Sequence, residues 1–377
     1  MRGWIAISLA LASGATGTAA ARTPPPPIVA SPVAGENQRL LLTWRAGEAR
    51  CNDGVAQPEA LRRPLNRLVL EGGLKPEAVT YGFEIDSRGR TRSIAKIGEG
   101  NDRMVDDVAP ALAASRFALG RARAGCIVTF TPETASLSAA PVPELVSYTM
   151  NPGAQRLPRE ASERIGGDGN CIERPFPAPL LRAYPDFEAI RRTPGARDWA
   201  MVGYDLDAAG APIATRIVTG TGNAALDQAA LEAVGDSRFT EGSRTGCRYP
   251  YWLAPAVLEA PAMPSRDAPE MAESAACSDR AGFTQPPRLI LPDAYRRRAI
   301  EGWAIVRYDV ATWGDIGNVE VIDAQPSEDF GKQAVQMLAM AKLPASTSGM
   351  TGCVDRVLFQ MPTRGRSAEN EETIAAY

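Results

Sequence analysis

The chain has 377 residues, 45% of them hydrophobic and 23% charged, a balance that excludes wholesale disorder and at this length asks for roughly two to four domains. Lysine and arginine number 41 against 44 acidic residues, so the formal net charge of −3 gives no electrostatic reason to expect a nucleic-acid partner. Histidine is absent, which removes His-activated serine or cysteine nucleophiles and the commonest zinc ligand.

The N-terminus reads as an export signal. Arg2 precedes the apolar run Trp4 to Ala12, and small residues follow, ending Ala19-Ala20-Ala21. The strongly apolar part is about half of the roughly 20 residues that a membrane span needs. Residues 1–21 are therefore expected to be cleaved, with an uncleaved anchor as the alternative. Residues 22–36 hold Pro24-Pro25-Pro26-Pro27, a proline-rich extended segment.

Beyond it, six cysteines fall into register. Cys51 to Cys126 is a step of 75 residues, and Cys171 to Cys247 and Cys277 to Cys353 are steps of 76. Glycine precedes the second member each time, at Gly125, Gly246 and Gly352. In an exported chain this spacing predicts three disulfides, one per module-length. Loops of that size would contribute roughly 4 to 5 kcal/mol each by restricting the unfolded chain.

The stretches between the cysteines repeat. In chain order, Phe83-Glu84-Ile85, Tyr204-Asp205-Leu206 and Tyr308-Asp309-Val310 each place an aromatic, an acid and an aliphatic, with Gly89, Gly210 or Gly314 six residues after the aromatic. Trp199 and Trp303 correspond five residues upstream of the tyrosines and read as core. The apolar alternation and the glycine predict a β-hairpin. A helix follows it: Val105 to Phe117 with Pro110 as a local perturbation, then Ala224 to Val234 capped by Asn223 or Asp227, then Phe330 to Ala341. Each second cysteine opens a strand, and Pro250 marks the second of these strands as an edge. A short helix is expected ahead of the hairpin at Pro185–Ile190 and Pro292–Ala299.

The expected fold class is thus α+β: three tandem small modules, each a three-stranded antiparallel sheet with two helices, each closed by one disulfide. The modules span 37–135, 168–255 and 275–362. Residues 136–167 and 256–274, rich in Pro, Ala, Ser and Glu, read as linkers that allow relative motion, and 363–377 as a disordered tail.

The third module carries a wider pattern: Pro292-x-x-Tyr295, Ile300-Glu301-Gly302, the Trp303 to Val310 strand, Gly314, Val319-x-Val321, Phe330-x-x-x-Ala334, Lys342-Leu343-Pro344 and Phe359. It resembles the TonB C-terminal domain. The second module matches through Tyr204, Gly210, Leu226-Asp227-x-Ala229-Ala230 and Arg238-Phe239, and the first only by extension.

The resemblance implies a periplasmic, non-enzymatic protein that takes an extended peptide as an added strand at a sheet edge. It implies protein partners, TonB-dependent receptors or other envelope proteins, and a link to outer-membrane transport. Candidate edge-strand residues are Val354, Arg356, Val357, Leu358 and Phe359. No catalytic residue, cofactor, metal or nucleic acid is expected, and a membrane only if the N-terminal segment stays uncleaved. An inner-membrane-anchored energy transducer facing the periplasm and an envelope scaffold stand as alternatives.

Overall fold

The structure, a computed structural model, describes residues 39–73, 75–98, 104–278 and 280–362. The expected signal, proline-rich segment and tail lie outside the described residues. The fold is mixed α+β, built on small antiparallel sheets with three disulfides.

The first unit contains β1 (Arg39–Ala46), β2 (Arg50–Cys51), β3 (Arg67–Leu70), β4 (Val79–Ile85), β5 (Thr91–Ile97), α1 (Val108–Ala114) and β6 (Arg123–Ser136). Its sheet has seven strands, not the three expected, because β1, β2, β3 and the short Gly54–Val55 strand join the β5-β4-β6 core. The 14-residue β6 makes this possible. Its first half pairs with β4, and its second half continues through Thr131-Pro132-Glu133 to pair with β1. Among the described residues no helix precedes the hairpin in this unit. Pro110 lies in the first turn of α1, where its missing N–H was owed no intrahelical bond, so it disturbs nothing.

The supposed linker after β6 is folded. It forms α2 (Val142–Thr149) and α3 (Arg159–Gly166). Leu145, Tyr148 and Ala161 pack with Leu41 of β1. Val146, on another side of α2, packs on Trp199 and Met201 of the next unit.

The second unit contains β7 (Asp198–Leu206), β8 (Pro212–Gly220), α4 (Ala224–Asp236) and β9 (Arg244–Leu253), in sheet order β8-β7-β9. Asn223 caps α4 by accepting from the Leu226 N–H. The expected helix at Pro185–Ile190 is absent. The Asp186 carboxylate accepts from the backbone N–H groups of Glu188 and Ala189, closing a turn that goes no further.

The third unit contains α5 (Asp293–Arg297), β10 (Gly302–Val310), β11 (Ile316–Gln325), α6 (Glu328–Leu338) and β12 (Met350–Phe359), in sheet order β11-β10-β12. The central strand β10 is apolar on both faces, and both are covered. Ala304, Val306 and Tyr308 share a core with Phe330, Ala334 and Met337 of α6. Trp303 and Ile305, on the opposite face, are covered by Ala260, Met263 and Met271. The Trp303 indole N–H donates to the Pro261 carbonyl at 2.7 Å. Residues 256–274 are therefore a cover for this sheet rather than a free linker.

Three local devices recur in all units. Gly89, Gly210 and Gly314 have φ of +71°, +76° and +92°, and each carbonyl accepts from the N–H of Phe117, Phe239 or Leu343 at 2.9 Å. Four residues later, Ser93, Ala214 and Asn318 have φ of +49°, +52° and +50°, each beside a register shift in the hairpin. Phe83, Tyr204 and Tyr308 stand opposite Cys126, Cys247 and Cys353. The acid of the repeated sequence also gains a reason: Asp205 and Asp309 accept the N–H of Gly246 and Gly352, which take positive φ at the bulge before the cysteine.

The disulfides are Cys51–Cys126, Cys171–Cys247 and Cys277–Cys353. The units do not hang loosely from one another, as the linker reading implied; the described residues lie within one compact unit. At the junction Arg298 and Asp107 form a bidentate ion pair whose side chains are 6% and 3% exposed. Arg298 also donates to the carbonyls of Arg63 and Gly195. Beside it, the outer edge of β5 is closed by the third unit, with the Ser93 and Ile94 N–H groups bonded to the Gln325 side chain and the Pro326 carbonyl.

Candidate functional site

The geometry that matters is at the last strand of each unit, where one edge pairs with the hairpin and the other is available in principle. The three edges differ.

In the first unit the edge of β6 is taken. Arg50 of β2 stands opposite Ile127, the Gly47 N–H donates to the Thr129 carbonyl at 2.8 Å, and β1 pairs from Ala46–Phe130 onward. In the second unit β9 is an edge strand, as Pro250 predicts, and Pro250 stands opposite Met201. Aligning Tyr204–Cys247 with Tyr308–Cys353 makes Pro250 the counterpart of Arg356, so this edge lacks an N–H at its centre. In the third unit no strand pairs with the outer edge of β12 among the described residues.

The backbone of β12 shows which groups point outward. The Val354 N–H donates to the Glu273 carboxylate at 3.2 Å, and its carbonyl accepts from the Arg280 guanidinium at 3.2 Å. Both partners lie outside the ladder, so Arg307–Val354 is a non-hydrogen-bonded pair. Antiparallel alternation then turns the N–H and C=O of Arg356 and Leu358 outward as well. The edge has a closed end at Val354 and an open stretch at Arg356 to Leu358.

The closed end is held by charge. Arg280 is paired with Glu273 at 2.8 Å and with Asp355. Burial works against its charge, but Asp355, Tyr308 and Glu273 outweigh that and raise its pKa. The Tyr308 hydroxyl donates to Asp355 at 2.8 Å, and burial followed by that carboxylate pushes the phenol far above its ordinary value. Beyond the strand, the Met361 N–H donates to the Glu301 carboxylate at 2.9 Å.

The structure separates the five sequence-predicted residues. Val357 and Phe359 turn their side chains to the core under α6, with Phe359 and Phe330 ring centroids 5.3 Å apart, and their backbone faces β10. Val354 is buried and clamped. Arg356 and Leu358 alone combine outward backbone with side chains on the open flank, Leu358 being 39% exposed. Sequence reading missed Glu273, Arg280 and Glu301, which bound the edge. Glu273 and Arg280 signal themselves only by flanking Cys277, whose bond to Cys353 brings them to β12, and Glu301 only as part of Ile300-Glu301-Gly302.

The hairpin edges of the second and third sheets are irregular. β8 and β11 carry the left-handed residues Ala214 and Asn318, bulges that twist an edge away from a neighbour. Among the described residues no cluster of His, Cys, Asp and Glu could hold a metal, and no helix is long and apolar enough to cross a membrane.

No curated protein matches the chain. Residues 287–360, from just before α5 to just past β12, match the family of the Gram-negative bacterial TonB protein C-terminal, a non-catalytic protein-interaction domain, and so bear out the resemblance drawn from Pro292 through Phe359.

Proposed function

We propose that this is a non-enzymatic protein of the bacterial envelope that binds an extended peptide as a strand added to the outer edge of β12. Segments of TonB-dependent receptors are the leading partners. The three units are, in this reading, tandem copies of one TonB-like module in which only the third keeps a usable edge. One observation carries it: β6 is already paired, β9 has Pro250 at its centre, and β12 presents Arg356 and Leu358 unpaired among the described residues.

The open stretch offers two N–H and two C=O groups. At about 0.5–1.5 kcal/mol net each, they supply roughly 2–6 kcal/mol. That corresponds to dissociation constants from tens of millimolar to tens of micromolar. Titration of the isotope-labelled full chain with receptor-derived peptides, followed by NMR, suits such weak binding. Shifts are expected at Arg356 to Met361. Arg356→Pro removes one outward N–H and no ladder bond, as Pro250 already does in the second unit, and should abolish them. Shifts that persist in that variant, or none in the parent chain, would sink the proposal.

The scaffold alternative suits the first two units, whose last strands are occupied or interrupted. The anchored-transducer alternative rests on residues outside the described ones, and N-terminal sequencing of the exported chain decides it.

A further inference from the structure

We infer that the β12 edge selects peptides carrying an acidic residue opposite Arg356 and an apolar residue two positions along, opposite Leu358; this rests on the edge-binding reading above. The carboxylates around the strand are already engaged. Asp355 is held by Arg280 and Tyr308, Glu273 by Arg280 and the Val354 N–H, and Glu301 by the Met361 N–H. Arg356 opens the unpaired stretch, with no carboxylate within ion-pairing distance among the described residues. Its Nε reaches only the Met263 sulfur, a weak acceptor, at 2.6 Å. That contact anchors the stem beside the sheet.

Directly opposite Arg356 and Leu358 on β10 stand Ile305 and Trp303, both fully buried under residues 256–274. The flank is therefore a cation next to the partly exposed Leu358, on a strand whose outer main chain is unpaired from Arg356 to Leu358 among the described residues. A strand laid there puts one side chain beside the guanidinium and the next on the same face beside Leu358.

The first unit shows the same edge occupied. Its added strand β1 places Arg45 against β6, where it forms a two-pronged ion pair with Glu133 at 2.6 and 2.9 Å. There the incoming strand brings the cation and the edge supplies the acid. At β12 the edge supplies the cation, and the incoming strand must bring the acid.

The test uses the full chain and three acetylated, amidated heptapeptides that differ only in a central Glu, Gln or Lys, with Val or Thr elsewhere. Affinities are read by NMR titration at low and moderate salt. The Glu peptide is expected to bind roughly two- to fivefold tighter than the Gln peptide, the size of a cross-strand charge pair, and the Lys peptide weaker than either. The Glu-to-Gln ratio should fall towards one in Arg356→Gln, invert in Arg356→Glu, and shrink with salt. Thermal melts of both variants establish that the sheet is intact. Equal binding of all three peptides, lost in Arg356→Pro, would overturn the charge selectivity while leaving edge binding in place. No binding by any peptide, or binding that survives Arg356→Pro, would overturn both.

Discussion

Removing Arg298 tests whether the units are locked together or merely adjacent. The guanidinium gives two bonds to Asp107, at 2.9 and 2.5 Å, and one to the Arg63 carbonyl at 2.9 Å. Arg298→Met leaves Asp107 as a buried charge whose remaining partner is the Leu65 N–H at 2.7 Å. Breaking one side of such a pair costs about 3–5 kcal/mol. With an m-value taken near 3 kcal/mol per molar urea, the midpoint falls by about 1 to 1.7 M. The double variant Asp107→Leu/Arg298→Met removes both charges and should recover most of that loss, because burying two ions was itself costly. Trp44, Trp199 and Trp303 are buried in the first, second and third units and report on each by fluorescence in single-tryptophan backgrounds. The parent chain should unfold with coincident transitions, and Arg298→Met should let the first unit melt earlier. A midpoint change below about 0.3 M, or a double variant no better than the single one, would refute the locked junction.

Two further outcomes follow from the core. Burial raises the Asp329 pKa, while Tyr295, which donates to it at 2.9 Å, opposes the rise. A raised carboxylate pKa means the folded state holds its proton longer than the unfolded one, so this group lowers stability as pH rises from its ordinary value of 3.8 through its folded value. Asp329→Asn should therefore compare better with the parent at pH 7 than at pH 4 in urea melts, and the reverse order would refute the assignment. Gly314→Ala should cost at least 1–2 kcal/mol from the left-handed backbone alone. Its Cβ would also sit 2.0 Å from the Leu343 carbonyl. A melting temperature unchanged from the parent would contradict that geometry.

Much of the fold could be read from residues whose constraints are local. The cysteine steps marked the pairs, the aromatic-acid-aliphatic pattern with its glycine marked the hairpins, and Asn223, one of two candidate caps, marked the start of α4. What escaped was set by distant contacts. The eight residues of α2 send Leu145 and Tyr148 into one core and Val146 into another, so no single apolar face stands out. Residues 256–274 lack periodicity because they lie across a sheet, reaching it through Met263, Met271 and a main-chain carbonyl at Pro261. The seven-stranded first sheet depends on β6 running past the expected end of its strand into a Thr-Pro-Glu stretch that reads as loop chemistry. For the site, Pro250 spoke for itself, whereas the closure at Val354 needed side chains more than 70 residues away in sequence.

The covers over the second and third sheets share a direction. α2 and residues 256–274 each come earlier in the chain than the sheet they shield. During synthesis from the N-terminus, the apolar underside of β7 or β10 thus meets a shield that has already emerged, and neither sheet waits for later chain to hide that face. The closure of β5 by Gln325 and Pro326 runs the other way and comes last. A chain interrupted before residue 325 therefore keeps the first unit's outer strand unsealed, which makes that strand the weak point of truncated products.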